Sequence, residues 1–334
     1  MQPIAMTMGE PAGIGGEVLL KAWRALQGTG PQFFALDDPA RLAALAAALH
    51  LDVPIAVIGD PADAAKHFAR ALPVLPLGPK VEAVAGAPSG KTGAAVVMSI
   101  EKAVALATSG KASAVVTNPI QKSVLYETGF SFPGHTEFLG KLAGTGHDPV
   151  MMLIARDLRV VPVTIHVSLK SAIESLTTDL IIDRAQNTAR ALRQDFAIAR
   201  PRLAILGLNP HAGENATMGL EDRDIVAPAV SALHRLGIAA FGPVPPDTAF
   251  TERARKSYDA AICLYHDQAL IPVKTIDMDG GVNVTLGLSI VRTSPDHGTA
   301  LDIAGQGIAN PGSLIAAIRL AADLARHRTA AAQI

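Results

Sequence analysis

LAILGLNPH, residues 203–211, is a short apolar run that ends in Asn209, Pro210 and His211. The same pattern stands on either side of it: VVPVTIH at 160–166 delivers His166, and AICLYHDQ at 261–268 delivers His266, Asp267 and Gln268. Short apolar runs bounded by turn-forming residues read as buried strands. In open parallel sheets ligands collect beyond the carboxyl ends of the strands, so three of the ten histidines are expected at equivalent strand ends. Three neutral imidazoles with an open fourth position suit Zn²⁺, Co²⁺ or Mn²⁺ better than an oxygen-liganded Mg²⁺. His166, His211 and His266 are therefore the candidate metal ligands, although each taken singly is more simply a strand cap or a loop hydrogen-bonding residue.

Outward from these runs, short apolar segments alternate with longer amphipathic, Ala-rich ones. The rhythm predicts an α/β protein of parallel strands joined by crossover helices. Strands are expected at Ile4 to Met8, Gln32 to Leu36, Ala114 to Thr117, Val150 to Ala155, Val160 to His166, Arg202 to Leu208, Ala260 to Tyr265, Val282 to Leu286 and Ile290 to Thr293. Helices are expected at Glu17 to Leu26, Pro39 to Leu49, Gly93 to Thr108, Asp179 to Asp195, Asp222 to Leu236 and Ser313 to His327. No repeat or flexible linker interrupts the chain, which favours two lobes sharing one cleft.

Composition narrows the function. With 334 residues, 49% of them hydrophobic and 18% charged, the chain is long enough for one large or two medium cores. Its 29 Lys plus Arg against 30 Asp plus Glu give no overall field for nucleic acid or an anionic membrane. The one cysteine, Cys263, excludes an internal disulfide framework and fits a reducing cytoplasm. Met1 to Glu10 lacks the pattern of a signal peptide, and no stretch has the roughly 18–20 apolar residues of a membrane span. A cytoplasmic protein without nucleic-acid or membrane partners is expected.

Further polar motifs follow other apolar runs. GEPAGIG at 9–15 is a glycine loop ahead of a helix, where free amides and the helix dipole favour an anion. Its spacing matches neither the dinucleotide fingerprint nor a phosphate-binding loop, and a tight strand-to-helix turn explains it equally. Thr117, Asn118 and Pro119 form a second such loop. In PGHTE at 133–137, His135 and Thr136 offer donors at a helix start, where Thr136 is alternatively a cap. Lys274, Asn283 and Arg292 lie along the final strand region, where a cation in apolar context needs a partner. That partner is either an acid such as Asp277 or Asp279, or a phosphorylated or carboxylated substrate.

Together these segments resemble the 4-hydroxythreonine-4-phosphate dehydrogenase family of pyridoxal phosphate biosynthesis. The motifs are GEPAGIG (9–15), GHTEF (134–138), LNPHAGE (208–214), PPDTAF (245–250), YHDQ (265–268), GVNVTLGL (281–288) and RTSPDHGTALDIAG (292–305), in order and over nearly the whole chain. Gly16, where the family usually has Pro, and the loop Asp277 to Gly280 depart from the pattern. The resemblance implies an isocitrate/isopropylmalate dehydrogenase-like fold of two α/β lobes around a central cleft. Residues 1–128 with 292–334 would form the nucleotide-side lobe, and 129–291 the metal and dimerisation lobe. It implies a homodimer with shared active sites and one divalent ion (zinc, cobalt, manganese or magnesium) on His166, His211 and His266. Substrate contacts would come from His135, Thr136, Lys274, Asn283 and Arg292, with Lys274 the candidate for proton transfer or charge binding. The stretch from His297 to Pro311 looks like an adenosine-binding loop, which makes His297, Gly298, Asp302 and Asn310 cofactor contacts. A carboxylate at Asp302 favours NAD over NADP; its alternative role is to cap local amides.

The implied reaction is NAD(P)-dependent oxidation of the C3 hydroxyl of 4-phosphooxy-L-threonine, then decarboxylation to 3-amino-2-oxopropyl phosphate. Relatives acting on phosphothreonate or on a cis-dihydrodiol are the near alternative. A zinc lyase or hydrolase without nicotinamide, and a noncatalytic binding protein for a phosphorylated metabolite, are the distant ones.

Overall fold

The computed structural model describes residues 1–132, 134–144, 146 and 148–331. Pro133 of the PGHTE motif and His147, to which the sequence assigns no role, lie outside the described residues. The chain divides into two compact units, Met1–Pro149 with Leu288–Thr329, and Val150–Gly287. The first unit thus gives way to the second at 149/150, and the chain returns to it at 287/288. Phe138, Leu139, Ala143, Leu288 and Ile290 are buried in the same apolar cluster as Val96 and Ile100, and this packing holds those residues with the first unit.

The first unit contains β1 (Ile4–Thr7), β2 (Phe33–Asp37), β3 (Ile55–Val57), β4 (Leu72–Pro76), β5 (Val115–Val116) and, from the returning segment, β12 (Arg292–Pro295). They lie in the order β3-β4-β2-β1-β5-β12, and every pairing is parallel. Parallel strands are buried on both faces and read as continuous apolar runs, as IAMT of β1 does with all four residues buried. The helix Pro39–Ala48 begins where Asp38 accepts a hydrogen bond from Ala40 N, with Pro39 in its first turn. Phe33 packs edge-on against Phe68, ring centroids 4.9 Å apart.

The second unit contains β6 (Val150–Ala155), β7 (Leu158–Pro162), β8 (Arg202–Leu206), β9 (Ala239–Val244), β10 (Ala260–Cys263) and β11 (Val282–Leu286), ordered β11-β6-β7-β10-β8-β9. Here the sheet is mixed. β6 runs antiparallel to both β7 and β11, which corrects the all-parallel expectation. Only Arg156 and Asp157 separate β6 from β7, too few for a crossover of about a dozen residues, and Arg156 takes the left-handed backbone of a tight hairpin turn. β7, β10, β8 and β9 are parallel neighbours. Leu153, Val160, Ala204 and Ala261 from the strands meet Ala269 and Val273 of the helix His266–Ile276 in one buried cluster. The expected helix Asp222 to Leu236 opens as a wide turn over Asp222–Val226 and becomes α-helical over Ala227–Arg235.

Candidate active site

In the second unit the three histidine-bearing segments leave the carboxyl ends of three adjacent parallel strands. Register places Pro162 of β7 beside Cys263 of β10 and Ile205 of β8 beside Ile262, so the strand ends are level. Beyond them, Val163 N donates to Cys263 O (2.7 Å) and Thr164 Oγ1 donates to Leu264 O (2.9 Å), which ties the His166 segment to the His266 segment. Buried Gln268 ties the other side: it accepts from Leu264 N (2.7 Å) and donates to Gly207 O (2.8 Å) after β8.

His166 and His266 come together, ring centroids 5.8 Å apart, on a cavity of about 230 Å³ also lined by Thr164, Tyr265 and Asp267. His266 Nδ1 contacts Asp267 Oδ1 at 2.7 Å. A carboxylate on one ring nitrogen orients the imidazole and leaves Nε2 for a ligand. His211 stands apart and exposed in the turn Pro210–Gly213, where it and Ala212 have left-handed backbone. Asp222, buried, holds that turn by accepting from Leu208 N (2.7 Å), Asn209 N (3.0 Å) and Asn209 Nδ2 (3.0 Å). Among the described residues no three His, Cys, Asp or Glu side chains close into a metal-holding group within the chain. The sequence thus locates the strand-end edge, while the single chain assembles two of the three imidazoles. Of the other candidates in this unit, Lys274 is half-buried on the helix His266–Ile276, and Asn283 on β11 has a buried Oδ1 without a hydrogen-bond partner among the described residues.

In the first unit, His135 and Thr136 open the helix His135–Ala143 after Gly134, which provides no side-chain cap. Thr136 is therefore not the cap that sequence allowed. His135 Nε2 is shut from solvent and has no partner among the described residues. Burial first, then the charges of Arg292 and Lys122, hold its pKa well below the ordinary 6.5, so the ring is neutral at pH 7. Arg292, 3% exposed, donates from Nε and Nη2 to Thr117 Oγ1 at 3.2 and 2.6 Å. Burial lowers its pKa to about 10, which leaves the guanidinium charged.

The glycine loop and the 297–310 stretch meet in this unit. Ile14 N donates to Thr299 O (3.0 Å) and Gly86 N to Ala12 O (2.8 Å). A Cβ on Gly13 would stand 2.7 Å from Thr299 O, so only glycine permits that approach. A cavity of about 680 Å³ borders Glu10, Gly13, Asp38, Arg41, Lys91 and Gly305. Glu10 is buried and accepts from Ala12 N (2.9 Å); desolvation raises its pKa despite that bond and the nearby Arg41. His297 Nδ1 contacts Gly298 O (2.9 Å) while its Nε2 is buried without a partner among the described residues. Among the described residues, exposed Asp302 is bonded only through its backbone oxygen, which accepts from Gln306 Nε2 (2.7 Å), so its carboxylate does not cap local amides. Asn310 does cap, accepting from Gly312 N (2.9 Å), and Gly298 is exposed.

Polar residues gathered at the carboxyl ends of strands in both units, with buried donors and acceptors left unpaired among the described residues, define an α/β enzyme. The profile of the family described as pyridoxal phosphate biosynthetic protein PdxA matches residues 31–321, and the chain belongs to that family. The 4-hydroxythreonine-4-phosphate dehydrogenase of Caulobacter vibrioides is 52% identical over 332 residues, covering 98% of both chains. Among solved structures, the 4-hydroxythreonine-4-phosphate dehydrogenase from Klebsiella pneumoniae superposes with a TM-score of 0.85 at 36% identity, covering 97% of this chain and 100% of that one. A terephthalate 1,2-cis-dihydrodiol dehydrogenase from Burkholderia xenovorans gives 0.65 at 26% identity, covering 96% and 98%. The family expectation from the sequence motifs is met, and with it an oxidoreductase of pyridoxal phosphate biosynthesis. No described helix is long and apolar enough to cross a membrane.

Proposed function

We propose that the chain oxidises the C3 hydroxyl of 4-phosphooxy-L-threonine with NAD, and that the resulting β-keto acid loses CO₂ to give 3-amino-2-oxopropyl phosphate. One observation carries the reading: two of the five residues implied as substrate contacts, His135 and Asn283, each hold a buried polar atom that no group among the described residues satisfies. Buried polar atoms are nearly always paired, so such orphans mark places where a ligand completes the bonding.

The residues fit a metal and a nicotinamide. His166 and His266 approach on one cavity, with His211 at the neighbouring strand end, and the imidazole set suits a borderline divalent ion, zinc, cobalt or manganese more than magnesium. When bound, the metal supplies Lewis acidity that eases loss of the alcohol proton, and the nicotinamide takes up two electrons from the alcohol carbon. Asp267 orients His266. Neutral His135 binds substrate through its unsatisfied Nε2, Thr136 offers its hydroxyl beside it, and buried Arg292 supplies a fixed positive charge. Asn283 Oδ1 accepts a donor of the substrate, and Lys274 binds charge or moves the proton. His297, Gly298 and Asp302 serve the dinucleotide, the free Asp302 carboxylate accepting from ribose hydroxyls and repelling a 2′-phosphate.

The working form is a homodimer with shared sites. The second unit exposes Val167, Leu169, Met218, Leu220 and Ile271 by 42–63%, a set of apolar side chains that a second subunit would cover. Buried, reduced Cys263 suits a cytoplasmic setting. Reduction of NAD is to be followed with 4-phosphooxy-L-threonine against phosphothreonate and a cis-dihydrodiol at fixed metal. Faster turnover of either alternative overturns the substrate assignment.

A further inference from the structure

Lys122 draws attention because it is a cation without a counter-charge. It opens the helix Lys122–Tyr126, is exposed, and makes no hydrogen bond or ion pair among the described residues. Its ammonium nevertheless lies against the start of another helix. A Cβ built on Gly134 would stand 3.6 Å from Lys122 Cε and 3.7 Å from Lys122 Nζ. Gly134 is the uncapped N-terminal residue of the nine-residue helix His135–Ala143, whose first amides therefore lack a side-chain acceptor. The side chain of His135 follows directly, its Nε2 buried and unpaired among the described residues, and the charged guanidinium of Arg292 acts on that ring together with Lys122. Glu137 Oε2 lies 3.3 Å from the same Gly134 point but outside ion-pair distance of Lys122.

We propose that Lys122 is a specificity-determining residue that grips the substrate's phosphate at the N-terminus of the helix His135–Ala143. The proposal rests on the reading above that the substrate is phosphorylated. Two cations, the positive end of a helix and a neutral imidazole able to donate from Nε2 match a dianion with three acceptor oxygens. A lone carboxylate would leave part of this set unused. Gly134 is small enough for an oxyanion to approach the helix amides beside the lysine.

The test uses the full chain carrying Lys122→Gln or Lys122→Arg. It compares kcat/KM for 4-phosphooxy-L-threonine and for unphosphorylated 4-hydroxy-L-threonine, and the Kd of inorganic phosphate by calorimetry. Loss of one charge-assisted hydrogen bond corresponds to roughly tenfold or more. Lys122→Gln should lower the preference for the phosphorylated substrate by that factor, mostly through KM, and weaken inorganic phosphate similarly; Lys122→Arg should restore most of both. A preference within about twofold of the natural chain's overturns the proposal. So does an equal loss on both substrates, which would mean that Lys122 reads the carboxylate. If the natural chain oxidises neither compound, the functional reading fails by itself. The phosphate titration then decides alone: weaker binding in Lys122→Gln supports the grip, while unchanged binding, or none in the natural chain, refutes it.

Discussion

Replacing Asp222 by Asn is the sharpest single probe of how the His211 turn is held. The carboxylate receives three N–H groups, two on Oδ2 and one on Oδ1, at 2.7–3.0 Å. An asparagine retains one oxygen, and the better rotamer places it where Oδ2 stands, keeping the bonds from Asn209 N and Asn209 Nδ2. Its new NH₂ then faces Leu208 N–H, donor against donor. An unsatisfied buried donor costs about 1–3 kcal/mol. Leu208 is only half-buried, so its donor falls at the low end, and loss of the charge on the two remaining bonds adds to it. The sum is roughly 2 kcal/mol of stability, to be read from urea unfolding with an unchanged slope. The turn that carries His211 should loosen at the same time. Disturbing such a support typically weakens metal binding 10–100-fold, measurable as zinc Kd against a chromophoric chelator. A variant within about 0.5 kcal/mol of the natural chain and with the same zinc affinity would show that the turn is held by something else.

Other outcomes follow from the same geometry. Because the pKa of His135 is lowered in the folded chain, its contribution to stability is present above the unfolded value near 6.5 and is lost as pH falls towards the folded one. Stability should decline by up to about 1.4 kcal/mol per pH unit in that window, and His135→Gln should remove this share; denaturation at pH 5.5 and 7.5 in both proteins checks it. Single Ala replacements of His166, His211 and His266 should each lower metal content and turnover together, and full occupancy by elemental analysis in all three would refute the triad. Asp302→Ala should raise kcat/KM with NADP relative to NAD, whereas an unchanged ratio would remove Asp302 from cofactor recognition.

What the sequence made legible is the set of strand ends. His166, His211 and His266 follow apolar runs that fold as β7, β8 and β10, three neighbours in one sheet, because buried parallel strands must be apolar throughout and their polar followers are easy to see. β3, β4 and β9 are not legible, for equally physical reasons. β4 is LPVLP and β9 is AAFGPV, and proline removes a ladder donor and argues against a strand; β3 is three residues on an edge, none of them buried. The antiparallel β6 was legible in principle, since two residues cannot make a crossover. The supports of the candidate site were not legible at all. Asp222, Gln268 and Thr164 act through partners that lie 14, 61 and 100 residues away, and no local pattern announces a hydrogen bond across such a span.

The first unit is built from two pieces of chain, and this fixes the order in which a nascent polypeptide can complete it. β12 pairs with β5, and Arg292 reaches Thr117, only after the whole of Val150–Gly287 has been made. That middle segment is contiguous and emerges from the ribosome with every strand of its own sheet present. At about 5–20 residues per second the edge of β5 waits on the order of ten seconds or more for its neighbour. During that interval an unpaired strand edge and the unfilled space around Thr117 are open to solvent, so the hazard of wrong edge-to-edge pairing is greatest during synthesis and ends when β12 arrives.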